Sequence, residues 1–309
     1  MKVLFVSAGR KGQIKPIIKN QGESLRKAGV ELDYYVLDGG GAKGYIRNLK
    51  PLRNKIKEGK YDVVHVHYAF SAYLASIATT CLRVPLVVSL MGTDIWAHKY
   101  YPYIVRAFKR CAQWKAVIVK SAEMRERVGI PSAIVVPNGV NMEKFSPKSK
   151  IDSQKSIGWT PEKKHVLFPA NPEDKRKNWP LAEGAVAFLN DGIELHGMWG
   201  VPNEETSIWY NAADAVVLPS FYEGSANAVK EAMACNRPLV TTDMGDCRER
   251  MEGCKGCYVA NTYEVPEFAE LLAMALKDEK SEGRERLLTD GIADYQIAER
   301  LIKIYESVL

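Results

Sequence analysis

Asp214-Ala-Val-Val-Leu-Pro-Ser220 runs directly into Phe221-Tyr-Glu-Gly-Ser-Ala-Asn-Ala-Val-Lys-Glu-Ala-Met-Ala234. The first segment reads as a buried strand that Pro219 ends. Gly224 lets the chain turn sharply. Ser225 is expected to cap a helix, because Ala226 to Ala234 are mostly strong helix formers. Free backbone N–H groups at such a helix start face whatever sits above the sheet, and they favour an anion there. Glu223 falls in the turn and Glu231 about two turns into the helix. The arrangement suits a ligand that carries a phosphate and hydroxyl-rich ends, such as a sugar nucleotide.

Around this unit the chain of 309 residues is long enough for two domains, and its 46% hydrophobic content can fill two cores. No stretch approaches the ~20 apolar residues of a membrane span. The opening Met1-Lys-Val-Leu-Phe-Val-Ser7 reads as a first strand too short for a signal peptide, so a cytoplasmic location is expected. Six cysteines are scattered, and the single Cys254-Lys-Gly-Cys257 lacks the second pair that a zinc motif needs. They read as reduced structural thiols.

Charge divides the chain. Residues 1–150 hold 26 Lys+Arg against 10 Asp+Glu, a net of +16. The remainder holds 17 against 27, a net of −10. A basic half meets anions, which leaves nucleic acid, an anionic membrane or a phosphorylated substrate. No zinc finger, RNP-like motif or long basic dimer helix supports nucleic acid. Lys99 to Lys115 mixes Tyr100, Tyr101, Tyr103, Phe108 and Trp114 with basic residues. That composition fits a helix lying on anionic lipid, and equally one with a packed aromatic face.

In chain order, Lys2–Ser7, Glu31–Leu37, Tyr61–His67, Val84–Leu90, Ala116–Val119 and Ala133–Val136 read as strands separated by helices. This pattern predicts a parallel sheet. The Gly9-Arg-Lys-Gly12 turn is basic, and Gly39-Gly40-Gly41 with Gly44 is a loop. His65 and His67 are expected to point to opposite faces. Phe145 to Lys155 is polar and reads as a linker, which puts the domain boundary near residue 150. The second half repeats the strand–helix alternation, with strands at 165–169, 193–198, 215–218, 239–242 and 256–259.

Most of the chain resembles the retaining glycosyltransferases of family 4, which have the GT-B fold. Asp62-Val-Val-His-Val-His-Tyr68, Ser89-Leu-Met-Gly-Thr-Asp94, Pro137-Asn-Gly-Val-Asn-Met-Glu-Lys-Phe-Ser-Pro147, Lys177-Asn178, Glu223 to Ala234 and Thr242-Asp-Met-Gly-Asp246 carry that resemblance, in the family's order. It implies an α/β protein of two Rossmann-like parallel-sheet domains facing across a cleft. Residues 1–150 would be the acceptor-side domain and 151–290 the nucleotide-sugar domain. A last helix within 291–309 would cross back to the first domain.

The resemblance also implies roles. Glu231 would take ribose hydroxyls, and Glu223 would lie near the transferred sugar. The amides of Ser225, Ala226 and Asn227 would meet the diphosphate, and Lys177 would neutralise it. Gly9, Gly12, Asn171 and Val201 join the substrate-binding candidates, and Asp94 joins Glu223 and Lys177 as a catalytic candidate. Two positions depart from the pattern. Ala170-Asn171 stands where the family often has Gly-Arg, and Met91 where it often has histidine. Of the three cations in the loop, only Lys177 is expected to face the ligand, with Lys175 and Arg176 turned to solvent.

The reaction implied is transfer of a sugar from a nucleotide-diphosphate sugar to an acceptor hydroxyl, in envelope or cell-surface glycan synthesis. The sugar nucleotide is a co-substrate, with no separate cofactor and no metal required. The partners expected are that donor, a glycan or lipid-linked acceptor and an anionic membrane surface touched peripherally, and no nucleic acid. Two other readings remain. A nucleotide-sugar epimerase would share the architecture. A non-catalytic two-domain sugar-binding protein would bind free sugar without preferring the nucleotide.

Overall fold

The computed structural model describes residues 1–9, 12–39, 41–112, 114–189 and 192–309. The chain divides into two compact units, Met1–Gly139 with Asp294–Leu309, and Val140–Ala293. Each is built on a parallel sheet.

The first unit holds β1 (Lys2–Ala8), β2 (Glu31–Leu37), β3 (Val63–His67), β4 (Leu86–Ser89), β5 (Ala116–Val119) and β6 (Ile134–Val135), in the spatial order β2-β1-β3-β4-β5-β6. Parallel neighbours need a crossover between them, and the helices Pro16–Lys27, Gly41–Gly59, Ala69–Ala78 and Tyr101–Cys111 supply most of it. Such strands are covered on both faces, which is why Val3 to Val6 reads as an unbroken apolar run and why Val63 to Val66, His65 included, is buried. Arg10, Lys11 and Gly40, within the basic turn and the glycine loop, lie outside the described residues.

The last helix, Asp294–Glu306, packs in this first unit beside Pro16–Lys27. Its Tyr305 hydroxyl lies 2.6 Å from His65 Nδ1, and Arg300 Nη2 donates to the Val135 carbonyl at 2.7 Å. His65 Nε2 is in turn 2.8 Å from Ser89 Oγ, and His67 Nε2 is 2.9 Å from Gln21 Oε1. The two rings stack with centroids 4.4 Å apart. The expectation of opposite faces is therefore corrected: residues two apart on a strand share a face. Burial lowers the pKa of both, that of His67 to about 3, so both are neutral packing groups.

The second unit holds β7 (His165–Phe168), β8 (Glu194–Gly197), β9 (Ala215–Leu218), β10 (Leu239–Thr242) and β11 (Cys257–Ala260), in the order β11-β10-β9-β7-β8. Val166, Phe168, Val217 and Val240 form its core with Leu181, Phe268 and Leu272 from the covering helices. The passage between units falls at Gly139–Val140, earlier than the polar segment near residue 150 suggested. Phe145 is buried edge-on against Tyr210, and the Lys148 N–H donates to Asn211 Oδ1 at 2.8 Å. The expected linker is part of the second unit, and Lys150–Ser156 is a helix capped by Ser149 Oγ.

Candidate functional site

The carboxyl ends of β7 and β9 bring the quoted stretch together with the basic loop. After β7 the chain makes a turn held by Asn171, whose Oδ1 accepts the Glu173 N–H at 3.0 Å. A single 3₁₀ turn, Lys175–Lys177, follows, with Asp174 accepting the Arg176 N–H. The Phe221 N–H donates to the Arg176 carbonyl at 3.0 Å, which fixes this loop against the turn after β9. As a result Glu223 Oε1 accepts from Lys177 Nζ at 2.5 Å and from Arg176 Nη1 at 3.0 Å.

Arg176 does not point to solvent as expected. Its guanidinium bridges Glu223 and Asp174, while Lys175 is exposed. Burial works against the Arg176 charge, but the two carboxylates outweigh it and raise its pKa above the ordinary range. Arg176 and Lys177 thus meet Glu223 and Asp174 as two cations on two carboxylates, and both cations are held beside the turn. Asn171, at the position where the family often has arginine, has its side chain committed to the turn.

The helix after the turn is Asn227–Ala234, and Ala226 occupies its cap position with no side-chain cap bond. Ser225 is therefore corrected as the cap. Its Oγ donates to Asp246 Oδ2 at 2.8 Å and accepts from Lys230 Nζ at 3.1 Å. Arg250 Nε donates to the same Asp246 oxygen at 2.5 Å. Ser225, Lys230, Asp246 and Arg250 are all buried. Burial pulls Lys230 down to about 8, against the pull of Asp246. The Asp246 loop can approach because residue 245 is glycine with φ of +57°. A Cβ there would lie 2.8 Å from the Gly224 carbonyl oxygen and 2.9 Å from that of Glu223.

Two polar atoms of this cluster are buried without a protein partner: Ser220 Oγ and Asn227 Oδ1. Such orphans are uncommon, because a buried unmet hydrogen bond costs about 1–3 kcal/mol. On the next turn of the helix Glu231 Oε2 accepts from the Tyr210 hydroxyl at 2.9 Å. Burial raises the Glu231 pKa, opposed by that bond and by Lys144 and Lys230. Val201 is in the loop after β8, beside Gly200 with φ of +73°.

The sequence reading missed Tyr210, Lys230, Arg250 and the part played by Arg176. The run of three cations marks the loop without telling which of them faces Glu223, and Asp246 could have been found from the Thr242–Asp246 motif. Nothing local marks Tyr210, which is 21 residues from Glu231.

In the first unit Asp94 is buried, and its oxygens accept from the backbone N–H groups of Ala69 (3.0 Å), Met91 (2.9 Å) and Gly92 (2.8 Å). Burial raises its pKa while these amides lower it. Its carboxylate holds the loop after β4 against the start of the Ala69–Ala78 helix. Gly9 is required by close approach: a Cβ would collide with the Gln13 carbonyl oxygen and with Val36 Cγ1. Gly12 has φ of +71°. Ala8, Gly9, Gln13, Ile14 and Lys15 line a cavity of about 280 Å³ at the carboxyl end of β1.

Two family models match the chain: Glycosyltransferase Family 4 over residues 20–144, and Glycosyl transferases group 1 over residues 170–278. Among curated relatives, it is 26% identical over 208 residues to TuaC of Bacillus subtilis (strain 168), which carries the name of a teichuronic acid biosynthesis glycosyltransferase. That match covers 60% of this chain and 54% of TuaC. It is 25% identical over 239 residues to the N,N'-diacetylbacillosaminyl-diphospho-undecaprenol alpha-1,3-N-acetylgalactosaminyltransferase of Campylobacter jejuni, covering 66% of this chain and 62% of that enzyme. The chain thus spans between half and two thirds of the length of these relatives. Among solved structures, Anabaena Alr3699/HepE in complex with UDP-glucose superposes with a TM-score of 0.76 at 13% identity, over 99% of this chain and 100% of that one. A likeness at that identity shows the fold.

Proposed function

Because both units resemble the family 4 glycosyltransferases of GT-B fold, we propose that this chain is a retaining glycosyltransferase. It takes a sugar from a nucleotide-diphosphate sugar and places it on an acceptor hydroxyl during envelope glycan synthesis. The observation that carries this reading is the Glu223 cluster: Arg176 and Lys177 fixed beside a helix start with no side-chain cap, next to the orphaned Ser220 Oγ and Asn227 Oδ1. Fixed cations and amides are what a departing diphosphate needs, since negative charge grows on it as the sugar bond breaks. Glu231, held by Tyr210, offers its carboxylate to ribose hydroxyls.

Asp94 acts as a positioning residue in this reading, because backbone amides occupy its oxygens. Transfer proceeds without a metal, and the donor's own phosphate oxygen accepts the acceptor's proton. The donor class is supported by the HepE complex. A lipid-linked acceptor is supported by the diphospho-undecaprenol substrate in the name of the Campylobacter enzyme. The chain would work at the inner face of a membrane, docking through its basic unit; among the described residues no helix is long and apolar enough to cross one.

The test is a thermal-shift panel of uridine, guanosine and adenosine diphosphate sugars with chelator present. One nucleotide class should stabilise the protein, by about 2.7 kcal/mol at ~100 times its dissociation constant. Free sugar that stabilises as well as its nucleotide would overturn the reading in favour of a binding protein. Epimerised donor released without any acceptor would overturn it in favour of an epimerase.

A further inference from the structure

Among the described residues β8 is an edge strand paired with β7 alone, in the register His165↔Glu194 to Phe168↔Gly197. Glu194 and His196 are two apart and share a face. His165 reaches the same place from the start of β7. His165 Nδ1 lies 2.9 Å from His196 Nε2 and 3.5 Å from Glu194 Oε2, and His196 Nε2 lies 3.7 Å from that oxygen.

We propose that His165, Glu194 and His196 form a binding site for one zinc-class divalent cation at the amino-terminal edge of the second unit's sheet. A point equidistant from three atoms with those separations lies about 2.0 Å from each, the length of zinc–nitrogen and zinc–oxygen bonds. His165 Nε2 lies 2.9 Å from the Thr160 carbonyl oxygen. A carbonyl only accepts, so Nε2 carries the proton and Nδ1 turns its lone pair to the site. A backbone carbonyl behind the ring is the usual support of a ligating histidine.

The rings are held in place by packing. Trp159 stacks on His196 with centroids 3.9 Å apart and on His165 at 4.8 Å, and Trp209 meets Trp159 edge-on at 5.4 Å. Burial and then His165 hold His196 down at about 4, so its imidazole is neutral at physiological pH. His196 ligates after moving its proton from Nε2 to Nδ1, which releases none. Lys163 Nζ, 2.5 Å from Glu194 Oε1, is the competing cation, and it leaves Oε2 to the metal. Three protein ligands leave a fourth position for water. The site is at the start of β7, whereas Lys177 and Glu223 follow the carboxyl ends of β7 and β9, so the ion clamps the edge strand and takes no part in sugar transfer.

The experiment titrates zinc into untagged, chelator-treated full chain, reading heat, Tm and Trp159 fluorescence; nickel is the quenching probe. One ion should bind per chain and raise the Tm. His196→Ala and Glu194→Gln should each weaken binding about tenfold or more, with unchanged far-ultraviolet circular dichroism. Lys163→Met should tighten it. Cys254 and Cys257, with sulfurs 3.3 Å apart, are the rival ligands, so Cys254→Ser/Cys257→Ser should bind as the parent does. The proposal is overturned by absence of binding, by indifference to both ligand substitutions, or by loss of binding in the cysteine variant.

Discussion

Lys177→Met and Arg176→Met together test whether the Glu223 cluster does chemistry or only holds a loop. Both cations donate to one oxygen, at 2.5 and 3.0 Å, with side chains 17% and 27% exposed. Either variant leaves Glu223 with one partner, so unliganded stability should fall by only about 1 kcal/mol. Turnover should fall far more. A fixed charge that meets growing negative charge in the transition state is worth ~10²–10³ in rate, or about 2.7–4 kcal/mol. Lys177 should show that loss in full at saturating donor. Arg176 should show about a tenfold loss, since its guanidinium is also tied to Asp174 at 3.2 Å. Lys175→Met, exposed, should be nearly silent. The double variant should lose less than the product of the two single losses, because residues on one network couple. Initial rates of nucleotide release measure all four, with urea unfolding as the control. If Lys177→Met turns over normally while its stability drops, the pair is structural and the diphosphate site lies elsewhere.

Glu231→Gln should keep the helix and weaken free nucleotide and sugar nucleotide alike, by about 1.5–3 kcal/mol in calorimetric titrations. Equal affinities for parent and variant would remove Glu231 from the ribose. Liposomes of anionic lipid should carry the protein down at low salt and release it at high salt, through Lys99, Arg106, Lys109 and Arg110 beside the exposed Tyr100 and Tyr103. No sedimentation at low salt would assign the basic charge to a soluble anionic acceptor. Lys230 has a folded pKa near 8 against 10.5 unfolded, so below pH 8 the fold carries a desolvated charge. Between about pH 8 and 10 the unfolded chain binds the extra proton, and stability should rise with pH. Lys230→Met should flatten that rise in unfolding titrations; a parallel curve would show that Lys230 is charged throughout.

How far these residues could be read from sequence depends on the range of the interaction that fixes them. Ala215–Leu218 was legible to the residue, because a strand buried on both faces reads as an apolar run and Pro219 follows it, and Leu239–Thr242 was legible from its apolar and β-branched residues after Pro238. Glu31–Leu37 was equally plain. The failures are pairings across space. Ser225 has every local property of a cap, but Asp246, 21 residues on, takes its hydroxyl. Arg176 and Lys175 are indistinguishable by composition. The Phe221 N–H on the Arg176 carbonyl, with Asp174 on the Arg176 amide and guanidinium, turns Arg176 toward Glu223. The Phe145–Lys155 segment is polar, yet Phe145 packs on Tyr210 and Lys148, Lys150 and Gln154 bond to Asn211, Asp214 and Ala212, and Ser149-Lys-Ile-Asp152 held a capping signal that the polar composition masked.

The same distinction applies within the proposed donor site. Glu223 and Glu231 are placed by a turn and a helix, both of which are local. The groups that bond to them come from the loop after β7 and from the helix carrying Tyr210. A parallel sheet gathers such loops at its carboxyl edge whatever their sequence. What sequence leaves open is which loop side chain faces which carboxylate. Here that choice puts two cations on Glu223 and one neutral hydroxyl on Glu231. In the proposed reading the partners of the first carboxylate follow a departing anion, and the second takes hydroxyl groups.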